Sequence, residues 1–208
     1  MVKLPASAPT PSVLRSLGAD LFTLPAGSSL WRLHRTTGTH AIGWNELRHW
    51  GPSSTARFDP HEPPPRTQDL GVAYLSLAVD TAMAEVFQDT RTIFVGRGGM
   101  YLSGFETISS LELLDLTGRW PLRVGGSHAI NTGRKDATRA WARAFVTAWP
   151  ELDGCLYTSS MTGKECVALY EPGVDALPSV PGFSEPLAHP GLAATVATAA
   201  EQIGYRLS

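Results

Sequence analysis

The sequence predicts an α+β fold, a mixed sheet with flanking helices. Short apolar and aromatic runs of strand length recur between residues 29 and 114, one of them leads directly into a helical pattern, and two longer helical patterns follow in the second half of the chain. A chain of 208 residues with 43% hydrophobic content is long enough to bury one core and short for two. We therefore expect one domain over residues 12–208, preceded by a flexible N-terminal arm at 1–11. The arm's Pro, Ala and Ser content includes no apolar run long enough for a signal-peptide core.

After the arm, residues 13–17 suit a short helix stopped by Gly18. Residues 29–34 alternate as a half-buried strand does and contain Trp31-Arg32-Leu33-His34. Between 38 and 69, Gly, Pro, His and Trp dominate, with the breaker runs Trp50-Gly51-Pro52 and Glu62-Pro63-Pro64-Pro65, so regular structure should be sparse. A loop of this length inside a compact domain is usually functional.

Residues 71–77 read as a strand and lead into a helix that runs to about Gln88, with Asp80 or Thr81 as its N-cap. Further strands are expected at 92–95, 105–108 and 111–114. The clearest helix spans 136–149, because Ala137, Trp141, Phe145 and Ala148 recur at helical spacing, Asp136 can cap it and Pro150 stops it. Lys135, Arg139 and Arg143 follow one another at i+4 on its other side, either as a docking patch for an acidic partner or as a solvated face. Residues 155–158 and 166–170 form a hairpin or a strand–loop–strand around Ser159-Ser160-Met161-Thr162-Gly163-Lys164. A Pro-rich stretch at 172–190 precedes an Ala-rich helix at 192–203, stopped near Gly204.

The formal charge is −2, so the bulk numbers show no electrostatic footprint for nucleic acid or an anionic membrane, and no direct nucleic-acid binding is expected. No stretch reaches the roughly 18 consecutive apolar residues of a membrane span. Cys155 and Cys166 are too few for a disulfide scaffold and fit a reducing cytosol. We expect a soluble, cytoplasmic protein. Glycine-rich nucleotide loops, the serine-hydrolase elbow, H-E-x-x-H and paired C-x-x-C motifs are all missing, and the six His residues lack metal-ligand spacing, so no metal is expected.

What remains is a scattered set: Arg32 and His34, Arg57 and Asp59 in Ala56-Arg57-Phe58-Asp59-Pro60, Tyr74, Glu85 in Ala84-Glu85-Val86-Phe87, and Ser159. Taken one at a time, these have ordinary explanations. Arg32 can be a strand-face arginine in an ion pair. Arg57 and Asp59 can pin the long loop, Tyr74 can be core, Glu85 can be a solvated helix residue away from Ala82, Met83, Val86 and Phe87, and a serine in a turn is unremarked. In this order, however, they resemble the RES domain, named for an Arg, a Glu and a Ser, over residues 30–171.

That resemblance implies a fold similar to the diphtheria-toxin type of ADP-ribosyltransferase, with a bent or split sheet around a NAD cleft. It implies that NAD is a substrate, consumed at its nicotinamide–ribose bond. It places Arg32, Glu85 and Ser159 at the name-giving positions and Arg57 and Tyr74 at the family's other site positions. Many relatives carry an Arg after the matched serine. Here that residue is Ser160, so both serines stand as candidates.

The chemistry suits these residue types. Cleaving the glycosidic bond of NAD passes through a ribosyl cation-like state, which a carboxylate such as Glu85 stabilises. The planar forks of Arg32 and Arg57 suit phosphate oxygens of the dinucleotide or of inorganic phosphate. Tyr74 can stack on nicotinamide, and Ser159 can bond its amide or the ribose. Three functions remain open at this level. One is a toxin that degrades NAD by phosphorolysis or hydrolysis, another is a mono-ADP-ribosyltransferase acting on a host protein, and the third is a nucleotide-binding module without turnover. The resemblance also implies a cognate Xre-like antitoxin and a toxin–antitoxin hetero-oligomer.

Overall fold

A computed structural model describes residues 4–208. Three residues of the expected arm, 1–3, lie outside the described residues. In the rest of the arm, Leu4 is buried and the Pro5 carbonyl accepts a 3.1 Å hydrogen bond from the Trp141 indole.

The chain runs through α1 (Pro11–Leu17), β1 (Leu21–Leu24), β2 (Ser29–Arg35), β3 (Arg48–Gly51), β4 (Arg66–Ser76), α2 (Val79–Val86), β5 (Thr92–Ile93), β6 (Met100–Glu106) and β7 (Leu111–Asp115). It continues with α3 (Trp120–Arg123), α4 (Lys135–Ala148), β8 (Gly154–Thr158), β9 (Glu165–Tyr170), β10 (Phe183–Pro186), α5 (Ala193–Ile203) and β11 (Arg206–Leu207). The main sheet has the order β1-β7-β8-β9-β4-β2-β6-β10, with β3 also on β4. It is mixed as expected, since β7 and β8 are parallel while its other pairings are antiparallel. The β7–β8 connection carries α4, as a parallel pair requires a crossover.

The strand-to-strand pairing is uneven, and this shapes the molecule. β2 pairs with β6 over seven residues but meets β4 only at Trp31↔Ser76. The sheet is therefore split into two halves joined at one point, with an opening between the Arg32 side of β2 and the Tyr74 end of β4. Gly104 allows Trp31 to lie flat on β6, because a Cβ there would come within 2.5 Å of the indole.

The central strands are buried on both faces, so they read as continuous apolar runs. On β9, Cys166, Ala168 and Tyr170 join the core under α4, while Val167 and Leu169 join the opposite core with Leu75 and Leu156. α4 drives Trp141 and Phe145 into the first core with no exposure at all. Arg15 of α1 donates to the carbonyls of Thr147 and Ala148, which satisfies acceptors at the C-terminus of α4. α2 and α5 enclose a third core against β2 and β6 through Met83, Phe87, Val196 and Ala200.

As expected, regular structure is sparse over 38–69, where only β3 and the first residues of β4 are strands. The expected N-cap of α2 is corrected. α2 begins at Val79 with Ala78 as N-cap, and alanine has no side-chain acceptor to make a cap bond. The Asp80 carboxylate instead accepts from the Thr81 N–H and from Lys164.

Candidate active site

The split in the sheet opens into a cleft with two lobes. The narrow lobe, about 220 Å³, is walled by Arg32, His34, Ile42, Ser76 and Cys166. The wide lobe, about 420 Å³, is walled by Arg48, Ser53, Arg57, Asp89 and Lys135. Tyr74, Glu85, Val86 and Tyr157 belong to both and form the waist. Their convergence follows from register: Tyr74 on β4, Cys166 on β9 and Tyr157 on β8 point to one face of the sheet, beyond the area that α4 covers.

Glu85 is the carboxylate at the waist. It is half-buried, and its Oε1 accepts a 2.5 Å hydrogen bond from the Ser159 hydroxyl. The Ser159 oxygen in turn accepts from the N–H groups of Met161 and Thr162, at 3.1 and 3.3 Å. The turn that makes this possible closes through Gly163, whose N–H bonds the Ser159 carbonyl at a positive φ of 74°. Two further contacts fasten the turn to α2: Thr81 to Thr162 at 2.9 Å, and Lys164 to Asp80 at 2.6 Å. Ser159 is thus brought to Glu85 but lies behind it, lining neither lobe. Ser160 is exposed.

Arg32 is buried without a carboxylate partner. Its Nη1 donates to the carbonyls of Gly43, Trp44 and Glu46, at 3.0, 2.8 and 2.7 Å, so this arginine also fixes the 43–46 loop over the narrow lobe. Burial pushes its pKa down to about 10, opposed by Glu46, which leaves it charged at neutral pH. His34 uses both ring nitrogens: Nδ1 donates to the Ile42 carbonyl and Nε2 accepts from Ser103, each at 2.9 Å. Burial lowers its pKa, so it is held as a neutral structural ring.

Arg57 faces the wide lobe and donates to the Gly133 carbonyl. Burial lowers its pKa while the nearby Glu85 charge opposes that shift. Asp59, the other polar residue of that segment, has no exposure and stands outside the cleft wall, paired with Arg48 and His61. The Tyr74 hydroxyl is buried without a hydrogen bond of normal geometry among the described residues, and the Arg48 guanidinium lies close enough to act on it. Burial raises its pKa well above the ordinary phenol value, with the Asp59 charge adding to the effect. The Cys166 thiol, pushed up to about 12 by burial and then by Glu85, is no thiolate nucleophile at neutral pH.

Tyr157 and Arg48 reach the cleft from β8 and β3 without any signal in the sequence, and Lys135, which the sequence placed only in the i+4 cationic series of α4, reaches it as well. The cationic face of α4 also has a use that neither sequence alternative supplied. Arg139 donates to the carbonyls of Ser53, Ser54 and Ala56, the Thr138 hydroxyl to that of Arg57, and Arg143 pairs with Glu62 at 3.3 Å. These contacts clamp the loop that carries Arg57. Among the described residues, no group of three or more His, Cys, Asp or Glu side chains could hold a metal, and no helix is long and apolar enough to cross a membrane.

Comparison with known proteins gives two matches. The family model described as "RES domain" matches residues 29–188. Among solved structures, a chain of the M. tuberculosis MbcT-MbcA toxin-antitoxin complex has a similar fold, with a TM-score of 0.53 at 16% identity, covering 84% of this chain and 90% of the other. No curated protein matches.

Proposed function

The chain belongs to the RES-domain family, and from that membership and the cleft we propose that it consumes NAD, breaking the nicotinamide–ribose bond by phosphorolysis or hydrolysis as the toxin of a toxin–antitoxin pair. The observation that carries this reading is the position of Glu85. One carboxylate, oriented by Ser159, stands at the waist of a two-lobed cleft, with Arg32 in one lobe and Arg57 in the other. The two lobes together fall within the roughly 300–1,000 Å³ of a small-molecule site.

The chemistry needs few groups. The nicotinamide ring of NAD is a cationic pyridinium, so it departs with the bonding pair as a neutral molecule and requires no general acid. What does require stabilisation is the positive charge that develops at the ribose carbon. Glu85 supplies a fixed negative charge there, in a partly desolvated site where such a charge acts most strongly. Tyr74 and Tyr157 line the waist where the leaving ring would sit, and burial keeps both phenols protonated. The acceptor then forms the new bond to the ribose carbon: phosphate, water, or a protein side chain if the enzyme is a mono-ADP-ribosyltransferase.

The neighbouring fold comes from a toxin–antitoxin complex, which supports an antitoxin partner for this chain, in our reading an Xre-like protein that holds it in an inactive hetero-oligomer in the cytoplasm. Expression without that partner should arrest growth and deplete cellular NAD. Purified protein should release nicotinamide from NAD, and dependence of that release on added phosphate identifies phosphorolysis. Growth arrest with unchanged NAD would contradict NAD consumption and point to protein modification. Binding of NAD with no nicotinamide release would leave only a binding module.

A further inference from the structure

Resting on the reading of the cleft as a NAD site, we propose that Arg48 is a further binding residue of the wide lobe, presenting its guanidinium to a phosphate or diphosphate oxygen. Arg48 lies on β3, outside the segments that resemble the family's site motifs. It lines the wide lobe with Arg57 and Lys135, so three cations from three separate elements converge there. Lys135 has no ion pair among the described residues. The acidic residues of the lobe are Glu85, at the waist, and Asp89, on the exposed rim.

Arg48 is held from behind. Its Nη2 donates to Asp59 Oδ2 at 2.7 Å, and its Nη1 donates to the Trp50 carbonyl. Asp59 has no exposure and is itself fixed by the Ser53 N–H at 2.6 Å, the His61 N–H at 3.1 Å and His61 Nδ1. Burial alone would raise its pKa, but the bonds from His61 and Ser53 and the Arg48 charge hold it far below the usual carboxylate range. A guanidinium carries five N–H donors; one bond to Asp59 and one to Trp50 form this support, and the Tyr74 hydroxyl lies near a further one. The remaining donors belong to a side chain that is 27% exposed at the lobe wall, so Arg48 reaches the cleft with its orientation already set. The same buried carboxylate anchors Ser53, so Arg48 and the rim of the Arg57 loop keep their relation to each other.

The test is calorimetric titration of the full-length protein with ADP, which carries the diphosphate without the reactive bond, for wild type, Arg48→Gln and Arg48→Lys. Wild type should bind ADP, and Arg48→Gln should bind about tenfold more weakly or worse, the loss expected for a charge-assisted hydrogen bond. Arg48→Lys should fall between the two, because an amine keeps the charge but not the fork. The KM for NAD should rise in the same order, by more than kcat falls. Equal ADP affinity in wild type and Arg48→Gln, or no ADP binding by wild type, overturns the proposal. If Arg48→Gln fails to fold, Arg48→Lys decides, since it retains an ion pair to Asp59: unaltered ADP affinity overturns the proposal and weakened affinity supports it. ADP binding that depends on Arg48, in a protein that releases no nicotinamide, would support the site and refute the reaction instead.

Discussion

Ser159 shows how a residue of no distinction in a sequence acquires a role from its neighbours. Its hydroxyl donates to Glu85 and accepts from two backbone N–H groups, so it orients the carboxylate at the waist and touches neither lobe. Ser159→Ala should therefore leave Glu85 in the site but free to rotate, lowering turnover about tenfold, the value of one hydrogen bond to a charged group. Ser160→Ala, on the exposed side of the same turn, should stay within about twofold of wild type. Nicotinamide release by the two variants, measured side by side, decides between the serines, and a larger loss at Ser160 would reverse the assignment.

His34 gives a stability signature at the same scale. Its folded-state pKa is lowered, chiefly by burial, so the native ring binds a proton less readily than the unfolded one. The stabilisation is therefore present above the ordinary histidine value of about 6.5 and is lost as the pH falls through the lowered folded value. The protein should unfold at a lower temperature at pH 5 than at pH 7.5, and His34→Gln, whose amide can bond both Ile42 and Ser103, should narrow that gap. An undiminished gap in the variant would assign the pH dependence to other groups.

Among the elements, those with a strong period were legible in the sequence. α4 reads clearly because its apolar positions fall on one stripe over fourteen residues, and β8 and β9 read clearly because burial on both faces makes their central residues, 155–157 and 166–170, a continuous apolar run. β1, β3 and β10 were not legible. Each is four residues long, and β10 ends in a proline, so local composition resembles a loop and only pairing with a neighbour defines the strand. For the same reason, Arg48 on β3 escaped notice. Periodicity placed Arg139 and Arg143 on the outer face of α4, but no local signal reveals that a loop eighty residues earlier lies across that face. Arg139→Ala should release that loop: hydrogen exchange should quicken over residues 53–57, and the KM for NAD should rise severalfold with a smaller change in kcat. Unchanged exchange in that segment would mean that Thr138 and Arg143 suffice to hold it.

For the whole molecule, the decisive feature is that one sheet is pinned into two halves at Trp31↔Ser76, so that residues 32, 57, 74, 85 and 157 meet at one opening. Family resemblance anticipated most of these residues, whereas composition and spacing alone left each with an ordinary structural explanation. On the proposed function, the cleft also separates stability from chemistry, since Glu85 sits at the waist rather than in any of the three cores. Glu85→Gln tests the central claim most directly, because the amide oxygen can still accept from Ser159 while the negative charge is removed. Nicotinamide release from NAD should fall by about two to three powers of ten with the melting temperature close to wild type. A purified Glu85→Gln protein that melts like wild type and releases nicotinamide at a comparable rate would contradict a catalytic role for this carboxylate.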